Sequence, residues 1–258
     1  MANQNANVYQ VIIIDGNNKV QGQNPNGVFE NLSEPGFAMD IGISTNGVLW
    51  AVSLVPNENS GGNVVYWSLG DGKWNMIQNG APAIAITGID NSSCYFLGDD
   101  GYVYMMGTDG PYTCITASNE VQEIDFGGDT AWAVFPATPG GIPLLQYSTS
   151  MQQIPIPFAV FQGPVSPSAI TVSYTGDCNG IIDGNPWFFG KDGSTGSAGA
   201  GANGISIDIS FKNNFYLLTN DRENSENEVM IWVDEAGGTF QDAGFSAIKV
   251  LSTYYLAS

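Results

Sequence analysis

The chain has 258 residues, enough for a large core, but only 12% are charged, with 43% hydrophobic and 12% aromatic; an average globular domain carries about 25% charge. Its net charge is −19, and its six cations stand singly at Lys19, Lys73, Lys191, Lys212, Arg222 and Lys249. That excludes a phosphate-tracking nucleic-acid surface and argues against anionic membranes, because both need clustered cations.

Polarity is carried by Asn, Ser, Thr, Gln and Gly, which suits a turn-rich β protein better than a helical one. From the N-terminus, "VYQVIIIDG" and "GVFENL" read as strands, separated by the oxygen-rich "DGNNKVQG", Asp15 to Gly22, which reads as a solvated loop. A pattern then begins that repeats to the end of the chain. Alternating strands centre on Ile41, Ile86, Ile124, Ile170, Ile207 and Ile248, at steps of 37 to 46 residues. Periods of about 40 to 45 containing several short strands are the signature of propeller blades.

Each unit repeats one order of strands. The isoleucine strand is followed by a second strand with a bulky residue: Trp50, Tyr95, Trp132, Tyr216 and Tyr255. These five are expected to fill the core between blades, since one sheet alone cannot bury its own face. Third strands are "VVYWSLG", "YVYMMG", "PLLQY" and "EVMIWV"; fourth strands are "WNMIQN", "PYTCIT", "QQIPIP" and "TFQDAG". Turns such as "GDGK" and "GTDG" supply the positive φ that tight hairpins need.

The unit after Ile170 is irregular. Ile182 or Trp187 could anchor it, and its Gly/Ser/Ala run makes a poor strand, which leaves a five-bladed ring with an insertion open beside a six-bladed one. The termini favour six. "SAIKVLSTYYLAS" supplies strands one and two, and "VYQVIIIDG" with "GVFENL" supplies three and four. The expected fold is therefore all-β: one domain, 1–258, a six-bladed β-propeller of four-stranded antiparallel blades, closed by N- and C-terminal strands sharing one blade.

Much chemistry is missing. The sequence has no histidine, which removes His-based triads, HExxH zinc sites and imidazole shuttles. No phosphate-binding glycine motif is present. Cys94, Cys114 and Cys178 lack metal spacing and an even count, so they read as small buried thiols. "NDRENSENE", Asn220 to Glu228, lacks calcium-ligand spacing and reads as a solvated loop. Asp15, Asp40, Asp125 and Asp208 read as strand-end or turn residues, so no carboxylate pair stands out for glycoside hydrolysis. No metal and no cofactor is expected.

The run "DIGISTNGVLWAVS", then "NVVYWSLGDGKWNMI", then "IAITGI", resembles the tectonin repeat, over residues 38 to 82 and again over 83 to 135 and 204 to 258. The resemblance implies a β-propeller lectin that binds glycans or glycoproteins on cell surfaces, methylated sugars among them, without catalysis, in cell recognition or defence. It also implies a protein held in the cytoplasm or released without a classical signal peptide, consistent with "MANQNANVYQ". No membrane-spanning run is seen.

Sugars stack on aromatic faces and bond to neutral amides and hydroxyls. The aromatics least needed for a core are Trp67, Trp74, Tyr104, Tyr112, Trp187 and Trp232, which are the candidate ligand-binding residues. Trp67, Tyr104 and Trp232 fall on corresponding third strands and are expected to form equivalent shallow sites. A protein-binding scaffold is the alternative reading, and a glycoside hydrolase a further one.

Overall fold

The computed structural model describes residues 9–56, 63–77, 82–89, 93–117, 120–136, 144–161, 166–197, 203–209, 215–223, 226–233 and 239–252. They form a six-bladed β-propeller of four-stranded antiparallel sheets, and among the described residues there is no helix. Blade 1 receives β1 (Val11–Ile14), β2 (Val20–Gln23) and β3 (Phe29–Asn31). Blade 2 is β4 (Ala38–Ile43), β5 (Leu49–Pro56), β6 (Asn63–Ser68) and β7 (Asn75–Met76); blade 3 is β8 (Ala83–Gly88), β9 (Ser93–Gly98), β10 (Val103–Gly107) and β11 (Tyr112–Cys114). Blade 4 is β12 (Glu123–Gly127), β13 (Thr130–Phe135), β14 (Leu144–Ser148) and β15 (Ala159–Val160). Blade 5 is β16 (Ala169–Val172), β17 (Cys178–Ile182), β18 (Asn185–Phe189) and β19 (Thr195–Ser197); blade 6 is β20 (Gly204–Ile209), β21 (Phe215–Glu223), β22 (Glu226–Val233) and β23 (Thr239–Ala247). The last strand, β24 (Lys249–Ser252), returns to complete blade 1, in the order β24-β1-β2-β3.

Two compact units result, Met1–Ile115 with Ala247–Ser258 and Thr116–Ser246. The first holds blades 1 to 3, and the second holds nearly all of blades 4 to 6.

The shared blade is confirmed but divided differently from the expectation. β1 pairs directly with β24, from Val11↔Ser252 to Ile14↔Lys249, so the C-terminus gives one strand and the N-terminus three. "VIII" is buried along its whole length, as suits a central strand, whereas β2 comes from the segment read as a loop. Asp15 folds that hairpin: its Oδ1 accepts the N–H of Asn17 at 2.9 Å and of Lys19 at 3.0 Å, and its Oδ2 accepts Gln21 Nε2 at 2.5 Å. These donors occupy the oxygens that a calcium loop would need. Tyr255 lies outside the described residues.

Blade 5 is regular, which removes the five-bladed alternative. Neither Ile182 nor Trp187 is its anchor: Trp187 lies on the third strand opposite Gly180. The place that Trp50 and Trp132 take next to the isoleucine pair in blades 2 and 4 is held in blade 5 by buried Asn179. In blade 4, "QQIPIP" is not a strand. Pro155 and Pro157 offer no N–H to a ladder, and the fourth strand comes later, at β15. "NDRENSENE" is no loop either, because β21 and β22 continue through it with Arg222↔Asn227 and Glu223↔Glu226 paired.

First strands carry Asp40, Asp125 and Asp208, read from the sequence as strand-end or turn residues, inside the strands themselves. Asp40, in β4, accepts the Ile86 N–H of β8 through Oδ2 at 2.8 Å and pairs through Oδ1 with Lys249 of β24 at 3.0 Å. In the second unit, Glu123 and Asp125 of β12 accept the N–H groups of Ile170 and Val172 at 3.1 and 2.7 Å, and Thr171 donates to Asp208 of β20 at 3.1 Å. A first strand is a sheet edge with unpaired N–H groups. Here the neighbouring blade supplies the acceptor as a side chain, a charge-assisted bond stronger than a neutral one.

Candidate functional site

Alternation along each strand decides which junction an aromatic serves. In blade 2, Trp50 pairs with Trp67 across β5 and β6, and both pack toward blade 3 on a core that includes Phe96, Cys94 and Met106. In blade 3, Phe96 pairs with Tyr104, and Tyr104 packs on that same core from the opposite side. Trp67 and Tyr104 are therefore not equivalent positions, as had been expected. They lie on opposite sheet faces and converge on one junction, between blades 2 and 3.

The second unit repeats this arrangement. Trp132 pairs with Tyr147 on blade 4, while blade 5 contributes Trp187 and Phe189, and Tyr147 and Trp187 flank one core. Tyr147 thus corresponds to Trp67, and Trp187 to Tyr104. Tyr147 was missed, although a signal existed. Both Trp67 and Tyr147 precede a buried serine, Ser68 or Ser148, whose Oγ accepts the N–H two residues on, at 3.1 and 3.2 Å.

The remaining candidates fall elsewhere. Trp74 is built into the junction of blades 1 and 2: its indole N–H donates to the Leu32 carbonyl at 2.7 Å and its ring lies 4.9 Å from Phe37. This residue is a structural clamp. Trp232 pairs with Phe215 and lies 5.0 Å from Phe240, on the face of blade 6 that packs toward blade 5. Of the expected core aromatics, Trp50 and Trp132 are fully buried and Tyr95 buried, while Tyr216 is half-buried. Cys94 and Cys178 are buried thiols as expected; Cys114, on β11, is exposed.

The junction of blades 2 and 3 joins three aromatic rings to a carboxylate. Tyr104 stacks on Phe96 at 5.1 Å and 18°, and Tyr112 stands perpendicular to Tyr104, at 5.4 Å and 89°. Tyr112 is 41% exposed, so it presents a ring face beside the cleft. At the far end of the Tyr104 ring, its hydroxyl donates to Asp100 Oδ2 at 2.7 Å, and the Tyr102 N–H donates to Asp100 Oδ1 at 3.1 Å. Two aromatic planes at right angles and a fixed carboxylate, with Trp67 across the junction, can stack a flat apolar surface and accept hydrogen bonds from it. Among the described residues, no group of three or more His, Cys, Asp and Glu is placed to hold a metal ion.

Burial, then the Asp100 bond, raises the Tyr104 hydroxyl above its ordinary 10.0, and burial, then Asp208, raises that of Tyr216. Folding thus favours the protonated phenols. Their contribution to stability is whole below about pH 10, and it is lost above it as the unfolded chain ionises first. Alkaline titration followed by phenolate absorbance is expected to show late steps from these two and from Tyr9, which burial and then Glu30 raise likewise, and Tyr104→Phe should remove one of them.

No family model matches the chain, and no curated protein matches it. Solved structures do. TolB from Acinetobacter baumannii is similar with a TM-score of 0.65 at 13% identity, over 93% of this chain and 65% of that one. YCF48, solved with a bound D1 peptide, is similar with a TM-score of 0.56 at 11% identity, over 95% of this chain and 79% of that one. PorZ, a surface component of the type-IX secretion system of Porphyromonas gingivalis, gives 0.58 at 10% identity over 90% of this chain. The chain spans only 30% of the length of PorZ. At such identities the likeness shows the fold, a six-bladed β-propeller, and these neighbours share no single activity.

Proposed function

We propose that the protein is a multivalent carbohydrate-binding lectin of the tectonin-repeat type, which recognises cell-surface glycans at the aromatic junctions between blades and performs no catalysis. The observation that carries this reading is the recurrence of one arrangement in both units: Trp67 facing Tyr104 across one core, and Tyr147 facing Trp187 across another. Duplicate shallow sites suit weak sugar binding strengthened by avidity of about 10² to 10⁴ on a cell surface. The non-catalytic part rests on the first-strand acids, since Asp40, Glu123 and Asp125 hold backbone N–H groups of the next blade.

A protein-binding scaffold is the rival, favoured by Leu54, Val55 and Ile84, which are exposed on blades 2 and 3. A glycan array combined with haemagglutination and sugar competition separates the two. The expected result is binding to a defined set of glycans, agglutination reversed by the free sugar, and no change on adding EDTA. A flat array, or binding abolished by the chelator, overturns the proposal.

A further inference from the structure

Blade 3, which carries Tyr104 and Tyr112, is acidic in sequence. From Ala83 to Cys114 the sequence holds Asp90, Asp99, Asp100 and Asp109 and no Lys or Arg. In blade 2, β4 to β7, Lys73 is the one cation in the sequence. It is highly exposed and lies 4.0 Å from Asp71. An acidic sugar at Asp100 would meet a carboxylate and, in the sequence of blade 3, no cation.

An ammonium group would meet the reverse. Cations are attracted to the faces of aromatic rings, more so where several rings surround them, and carboxylates bond to ammonium with charge assistance. Tyr104 and Tyr112 supply two perpendicular ring planes, and Phe96 backs Tyr104. Asp100 is exposed, yet both of its oxygens are oriented by donors, the Tyr104 hydroxyl and the Tyr102 N–H. Each oxygen keeps a lone pair for a further donor. Tyr104 links the two, its hydroxyl on Asp100 and its ring perpendicular to Tyr112.

We infer that the cleft formed by Trp67, Tyr104, Tyr112 and Asp100 takes a cationic amino sugar, with its ring face on Tyr112 and its ammonium at Asp100. This rests on the lectin reading and gives it a ligand class.

The test is calorimetric titration of the full chain with the glucosamine dimer and with its N-acetylated counterpart. The amine form is expected to bind about tenfold more tightly at low salt, with the preference shrinking as salt rises. Asp100→Asn should remove the preference, leaving the amine and acetylated dimers bound with equal affinity, whereas Tyr112→Ala should weaken both and keep the preference. Asp242→Asn, which removes the same charge from an exposed position on β23 of blade 6, should change nothing. Equal or tighter binding of the acetylated dimer overturns the inference, as does an equal loss in Asp242→Asn, which would mean general attraction to an acidic protein. An array with neutral-sugar hits and no gain for amines sinks this inference alone; a flat array sinks the lectin reading with it.

Discussion

Gly88→Ala is expected to lower the unfolding free energy by about 3 kcal/mol, and Gly88→Val to leave little folded protein, because overpacking costs about 1–3 kcal/mol and more where backbone cannot yield. Gly88 ends β8, and a Cβ there would overlap the backbone of Ile43 and Ser44 at the end of β4. The approach is mutual, since a Cβ on Gly42 would lie 2.9 Å from the Gly88 nitrogen. Two first strands meet here backbone to backbone. Thr45 N–H reaches the Ile89 carbonyl at 2.8 Å, and the Ser44 hydroxyl donates to the Ser93 carbonyl at 2.8 Å, so β4 cannot move away without breaking bonds between blades. The same approach recurs in the second unit, where a Cβ on Gly127 would overlap the Ser173 carbonyl. Gly27→Ala is the control. It sits in an exposed turn at φ +81 with nothing within 4 Å, so its cost, about 1–2 kcal/mol, is backbone conformation alone. Urea unfolding of the three variants measures this, and a Gly88→Ala midpoint no lower than that of Gly27→Ala would refute the close approach.

The repeat was legible because burial imposes it. Ile41, Ile86, Ile170 and Ile207 are buried within or beside the first strands of their blades, and a blade whose faces are both covered must keep that apolar position. The clasp between the termini was also legible, though its division was not. "VIII" satisfies a second or a third strand equally well, and what makes it the second is its pairing with β24, a long-range fact. The candidate site was less readable. Tyr66 and Trp67 are adjacent, as are the alternatives Tyr104 and Met105, and a one-residue shift in register moves a side chain to the other face. The pairs Trp50↔Trp67 and Phe96↔Tyr104 decide which face each ring takes, and nothing local in the sequence announces them. Asp40, Asp125 and Asp208 misled for a related reason. Asp is depleted in strands, so these residues read as ordinary strand-end or turn positions, whereas their partners are edge N–H or hydroxyl groups some 37 to 47 residues away.

Trp50→Ala is expected to cost about 4 kcal/mol, in the range for emptying a buried Trp site, with glycan binding reduced only as far as the folded fraction falls. Trp50 is fully buried, and its indole N–H donates to the Ser44 hydroxyl at 2.8 Å, so the substitution both opens a cavity and strips a donor from the chain of bonds that links blade 2 to blade 3. Trp67 lies directly opposite on β6 but is only partly buried at the rim of the same core. Trp67→Ala should therefore cost about 1 kcal/mol, the scale of a cross-strand pair, while weakening glycan binding about tenfold or more through loss of a stacking face. The two rings touch the same strand pair and differ in depth, so their variants separate packing from recognition without any change of blade. Measuring urea midpoints and glycan affinity for both decides the matter: equal stability losses, or a Trp67→Ala variant that binds as the parent does, would place Trp67 in the core and move the ligand away from this junction.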